Sequence, residues 1–87
     1  MAGSWKQVKY SPGVREQNAL RKDFTFKNFK DALDFVNKVG EIAETMQHHP
    51  DINLGWGYVR IWTTSHDEKK ITEKDYLLSK AINQLQN

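Results

Sequence analysis

Between Leu20 and Phe26 apolar and polar positions alternate strictly, with Leu20, Lys22, Phe24 and Phe26 on one face and Arg21, Asp23 and Thr25 on the other. A period of two is the mark of a half-buried strand, and the Lys22 stem can lie along the margin of its apolar face. "SWKQVKY" carries a weaker alternation and predicts a short edge strand; "SPGVREQN" after it reads as a loop, because Pro12 and Gly13 interrupt any regular pattern. The period then changes. Phe29, Ala32, Leu33, Val36, Val39, Gly40, Ala43 and Met46 recur at spacings of three and four, and Phe35 and Ile42 widen the stripe. This predicts an amphipathic helix of about 20 residues, capped by Asn28 and ended near His49 by Pro50, which disfavours helical geometry in the residue before it. Gly40 costs about 1 kcal/mol against alanine there, so close packing is its expected reason.

Strand composition returns in "DINLGWGYVRIWTTSH", where Gly55 and Gly57 permit a turn or bulge beside Trp56. Beyond the turn, Val59, Ile61 and Thr63 point one way and Tyr58, Arg60, Trp62 and Thr64 the other. "TEKD", Thr72 to Asp75, resembles a capping box with Asp at its fourth position. It opens a last helix with Leu77, Leu78, Ala81, Ile82 and Leu85 on its buried side. The order strand, strand, long helix, hairpin, helix with short connections predicts an α+β fold. In it an antiparallel sheet of about four strands carries the long central helix and the C-terminal helix on one face.

Length and composition narrow the function. At 87 residues, the chain supports one core, so residues 1–87 form a single domain. With no cysteine, disulfides, thiolate metal sites and cysteine nucleophiles are excluded. The formal charge of +2 is spread along the chain, which argues against a direct nucleic-acid partner. No apolar run reaches the roughly 20 residues of a membrane helix, and the N-terminus lacks a hydrophobic signal region. A cytoplasmic protein, with the nucleus as a second location, is the expectation.

Two of the three histidines stand side by side, immediately before Pro50. Surface charge near a helix C-terminus is the plainest explanation of such a pair. Metal binding fits less well, since ligands on one helix favour an i,i+4 spacing that His48 and His49 do not supply. Acid–base chemistry is the third reading, because imidazole titrates near pH 6.5 and two imidazoles in one pocket can hold different protonation states. Glu44 lies one turn before His48, on the same side, where it can orient or charge that imidazole. His66 can join them only through tertiary folding.

Read together, Glu44, His48-His49-Pro50, Trp56, His66 and Asp75, at these separations, resemble the signature of the pterin-4a-carbinolamine dehydratase family at every position. The likeness extends through "FTFKNFKDALDFVNKVGEIAE" and "YVRIWTTSHDEKKITEKD" and covers roughly Trp5 to Leu85. The resemblance implies dehydration of 4a-hydroxytetrahydrobiopterin to quinonoid dihydrobiopterin and water, in tetrahydrobiopterin recycling, by histidine general acid–base catalysis without metal or organic cofactor. It implies that His48, His49 and His66 line the pterin pocket with Pro50 shaping its wall and Ser65 beside the last histidine. His49 then chiefly holds the ring, His48 and His66 are the acid–base pair, and Glu44 is a supporting carboxylate. Asp75 has a competing and plainer role as the cap of Thr72. Trp56 is expected to pack in the core or the pocket wall, and Trp62 to be half exposed or at a subunit contact. Departures are few: Ser65 replaces a common threonine, Lys70 stands where glycine is frequent, and Gln47 where some members carry an acid. The family also implies a homodimer or homotetramer and, in some members, a dimerisation cofactor that binds a helical segment of a transcription factor.

Overall fold

The computed structural model describes residues 5–11 and 16–86. Its elements are β1 (Lys6–Tyr10), β2 (Gln17–Thr25), α1 (Phe29–Met46), β3 (Asp51–Gly55), β4 (Tyr58–Thr63) and α2 (Glu73–Gln84). The strands form one antiparallel sheet in the order β1-β2-β4-β3. This is the α+β fold expected, with β2 beginning three residues before Leu20 and so taking Gln17 and Asn18 from the expected loop; Pro12 and Gly13 of that loop lie outside the described residues. No helix among the described residues is long and apolar enough to cross a membrane.

Alternation in β2 and β4 decides which sheet face meets the helices. Leu20 and Phe24 pair across the ladder with Thr63 and Val59, and all four are buried beside Ile61. From α1 come Ala32, Phe35, Val39 and Ala43; from α2, Leu78 and Ile82. Phe35 sits between two phenylalanines of the sheet segment, 4.8 Å from Phe24 and 5.1 Å from Phe26 by ring centroid. Such tilted aromatic contacts add to the burial that drives the layer together.

The buried stripe of α1 is rotated from the expected one. Ala32, Phe35, Val39 and Ala43 form its centre, Val36, Ile42 and Met46 its flank, while Phe29 and Leu33 lie on the exposed side. Leu77 is likewise exposed on α2. Gly40 has open space where a Cβ would stand, so close packing does not explain it. At Gly55 a Cβ would run into the Tyr58 ring, and Gly57 takes a φ of 80° that turns β3 into β4. Trp56, between these glycines, is 71% exposed: the turn throws it outward instead of into the core or a pocket wall.

Candidate active site

The site begins where α1 stops. Asn28 caps the first turn, its side chain accepting from the Asp31 N–H at 2.8 Å. At the other end the helix closes at Met46, and Gln47 adopts the left-handed conformation at φ 52°. His48 N–H then donates to Ala43 C=O at 3.1 Å and Gln47 N–H to Glu44 C=O at 3.3 Å, the pair of bonds that satisfies free carbonyls in a Schellman ending. A non-glycine residue in this conformation costs about 1–2 kcal/mol. The sharp reversal separates two neighbouring imidazoles: His48 turns inward and His49 back over the last turn of the helix.

His48 meets Asp75. Its Nε2 lies 2.6 Å from Asp75 Oδ1, with the His48 side chain 12% exposed and the carboxylate fully buried. Thr63 Oγ1 donates to Oδ1 at 2.7 Å, and Ser65 Oγ and the Thr72 N–H donate to Oδ2 at 2.9 and 2.8 Å. Period two puts Thr63 and Ser65 on the same side of the chain, toward the first turn of α2, where Asp75 is the third helical residue. Thr72 Oγ1 closes the network on Ser65 Oγ at 2.6 Å. Burial by itself would raise the pKa of the Asp75 carboxyl; the bonds from His48, Thr63, Thr72 and Ser65 outweigh it and hold the pKa below the usual 3.8. Asp75 is therefore an ionised acceptor, and the Nε2 that it faces carries a proton. Neutral His48 keeps its Nδ1 lone pair for something else.

His49 meets the carboxylate expected to serve His48: Glu44 Oε2 lies 2.5 Å from His49 Nε2, and both side chains are more than half exposed. The i,i+4 relation of Glu44 to His48 fails because the helix has already ended at Gln47. His66 follows β4 in an exposed turn, where Ser65 and Lys70 pair as an isolated bridge and Lys69, not Lys70, takes the left-handed φ of 56°. Among the described residues, the His66 ring makes no hydrogen bond.

His48, His49, Ser65 and His66 all line one polar cleft of about 200 Å³, together with Gln47 and Lys74. That is smaller than the roughly 300 Å³ at which drug-sized pockets begin, in keeping with a compact ligand. Pro50 and Glu44 are not among its lining residues. Asp75, read from sequence mainly as a cap, is both cap and partner of His48, and Thr63 joins it. The one sequence signal for this was the capping-box position itself, within a signature that also contains the histidines. Among the described residues no cluster of three or more His, Cys, Asp or Glu is arranged to hold a metal ion.

Known proteins share this fold. The profile of the family described as pterin 4 alpha carbinolamine dehydratase matches residues 2–85. A Rubrobacter xylanophilus protein named a candidate pterin-4-alpha-carbinolamine dehydratase is 44% identical over 72 residues, 83% of this chain and 67% of its own length. The solved structure of a transcriptional coactivator/pterin dehydratase from Brucella melitensis superposes with a TM-score of 0.79 at 28% identity, covering 92% of this chain and 79% of that one. A pterin dehydratase-like protein identified as a RuBisCO assembly factor shares the fold, with a TM-score of 0.74 at 22% identity over 94% of this chain and 88% of that one. With a full-length profile match, close relatives and a common fold, the chain belongs to the pterin 4 alpha carbinolamine dehydratase family.

Proposed function

We propose that the protein dehydrates 4a-hydroxytetrahydrobiopterin, giving quinonoid dihydrobiopterin and water in tetrahydrobiopterin recycling. The observation that carries this reading is the His48–Asp75 pair beside His66 in one cleft. In the reaction the N5 lone pair forms the N5–C4a double bond and the C4a–O bond breaks. One acid protonates the departing hydroxyl to water, and one base takes a ring N–H proton. His48 suits the base, since the Asp75 carboxylate keeps the proton on Nε2, leaves Nδ1 as acceptor and stabilises the imidazolium formed on proton uptake. His66 suits the acid, and its exposed turn lets its proton be replenished from water. His49, held by Glu44, serves to grip the ring, with Ser65 fixed behind by Asp75 and Pro50 restricting the backbone between His49 and β3. Positioned acid–base groups each supply about 10²- to 10⁴-fold.

The test is the dehydration rate of enzymatically generated 4a-hydroxytetrahydrobiopterin with and without protein, alongside His66→Ala. Acceleration that the substitution abolishes is the expected result; folded protein that gives no acceleration would overturn the reading.

A second reading draws on a different surface. Between α1 and α2 lies an apolar groove of about 640 Å³ lined by Ile42, Met46, Ala81 and Leu85, with Lys38 and Glu41 on its margin. It suits an amphipathic helix, either from a transcription factor, as the coactivator likeness suggests, or from another copy in a homodimer or homotetramer. Among the described residues the edge strands β1 and β3 each have one side unpaired, which also favours self-association. Sedimentation with and without a dimerisation-helix peptide separates these: Met46→Glu is expected to abolish the groove's association while leaving dehydration intact. Association unchanged by Met46→Glu would remove the groove from this role.

A further inference from the structure

The sheet face turned away from the helices carries a cross-link that the acid–base chemistry leaves unused. Tyr10 ends β1 and Asp51 begins β3, so the two stand on opposite edge strands of the sheet. The Tyr10 hydroxyl nevertheless donates to Asp51 Oδ2. Its ring reaches that far by lying flat on Trp62 of β4, at a centroid distance of 5.2 Å and an interplanar angle of 7°. The Arg21 guanidinium stands 5.3 Å from the centre of the same indole. Trp62 is also the residue paired with Asp51 on one side and with Arg21 on the other. One aromatic stack therefore spans all four strands and ends on a carboxylate.

That carboxylate belongs to the residue two after His49, with Pro50 between. Proline fixes φ, so few torsions separate the Asp51 backbone from the His49 imidazole. Asp51 is held twice, by its pairing to Trp62 and by the Tyr10 hydroxyl. The His49 ring, by contrast, has only the exposed Glu44 as a side-chain partner among the described residues. The more rigid anchor of the histidine turn is the sheet-spanning one.

Resting on the pterin reading above, we propose that Tyr10 and Asp51 form a positioning strut that sets His49 for binding the pterin ring. Both residues act through the His49-Pro50-Asp51 backbone and neither touches substrate. The strut is a determinant of ring binding and not of proton transfer, because His48 is held independently by Asp75.

Tyr10→Phe removes the hydroxyl and keeps the stack, Asp51→Ala removes the acceptor, and Asp51→Asn retains one. Tyr10→Phe and Asp51→Ala are expected to raise KM for the carbinolamine about threefold to tenfold with kcat within about twofold, and their combination to do no more than either alone. Asp51→Asn restores a near-normal KM. The imidazole resonances of His49 without ligand give a readout independent of turnover. They are expected to shift in Tyr10→Phe and Asp51→Ala while those of His66 stay in place. Unmoved His49 resonances in Tyr10→Phe, or independent additive effects in the double variant, would overturn the strut. Absence of turnover in the unsubstituted protein would instead strike the dehydratase reading, with the resonance shifts still deciding the strut.

Discussion

His48 and His49 are the same residue at adjacent positions, each with a carboxylate at hydrogen-bond distance, yet their surroundings are opposite. The His48–Asp75 pair is buried and braced by two hydroxyls and a backbone N–H; the His49–Glu44 pair lies in solvent with no further side-chain partner among the described residues. A buried carboxylate depends on every donor that compensates for lost water, so loss of one member of its network is felt throughout. An exposed pair contributes about 0–1 kcal/mol and is screened by salt. One left-handed residue, Gln47, creates this difference by ending the helix between Glu44 and the two rings.

Breaking the buried pair is expected to give the largest effects. Asp75→Ala should destabilise the fold by about 3–5 kcal/mol in urea unfolding, since it leaves the His48, Thr63, Ser65 and Thr72 donors without their acceptor, at about 1 kcal/mol each. The pH dependence follows from the lowered Asp75 pKa. A carboxyl whose folded pKa lies below its unfolded value contributes stability above that unfolded value, and the contribution is lost as pH falls through the folded one. Acid unfolding below the ordinary 3.8 should therefore be shallower in Asp75→Asn than in the unsubstituted protein. Thr63→Val, which removes one donor from the carboxylate, is expected to cost about 1–2 kcal/mol with a modest loss of kcat, measurable by the same unfolding and by steady-state kinetics.

Smaller effects belong to the exposed pair. His49→Ala should raise KM more than it lowers kcat. Glu44→Gln should leave kcat within about twofold and change stability by less than about 1 kcal/mol. A large loss of kcat in Glu44→Gln would erase the contrast between the two pairs.

The sheet was readable because alternation in Leu20–Phe26 and Tyr58–Thr64 offers one assignment of faces, and a slip of one residue would expose Phe24, Val59 and Ile61 together. On α1 the signal was ambiguous. The series Phe29, Leu33, Val36, Gly40 and the series Ala32, Phe35, Val39, Ala43 both run at helical spacing, and the first opens on two large residues while the second begins and ends on alanine. The second series won because α1 lies close on Phe24 and Phe26, where Ala32 and Phe35 fit against the sheet. At the site, the resemblance to the family signature singled out all three histidines, and the capping-box pattern marked Asp75. The pairing of carboxylates with rings was not legible, because it depends on where the helix stops. Pro50 marks that boundary only approximately, and Gln47 lacks the glycine that usually announces a left-handed ending. Trp56 was misread for a related reason: Gly55 and Gly57 announce a turn, but which way that turn throws the ring depends on its backbone conformation and not on spacing.

Asp75 faces Nε2 of His48, and in the proposed dehydration this leaves Nδ1 as the proton acceptor. The most direct measurement is long-range ¹H–¹⁵N correlation NMR of the histidine rings at neutral pH, with Asp75→Asn for comparison. Neutral His48 is expected to be protonated on Nε2 and unprotonated on Nδ1, a pattern lost or mixed in Asp75→Asn. A neutral His48 carrying its proton on Nδ1 in the unsubstituted protein would contradict it.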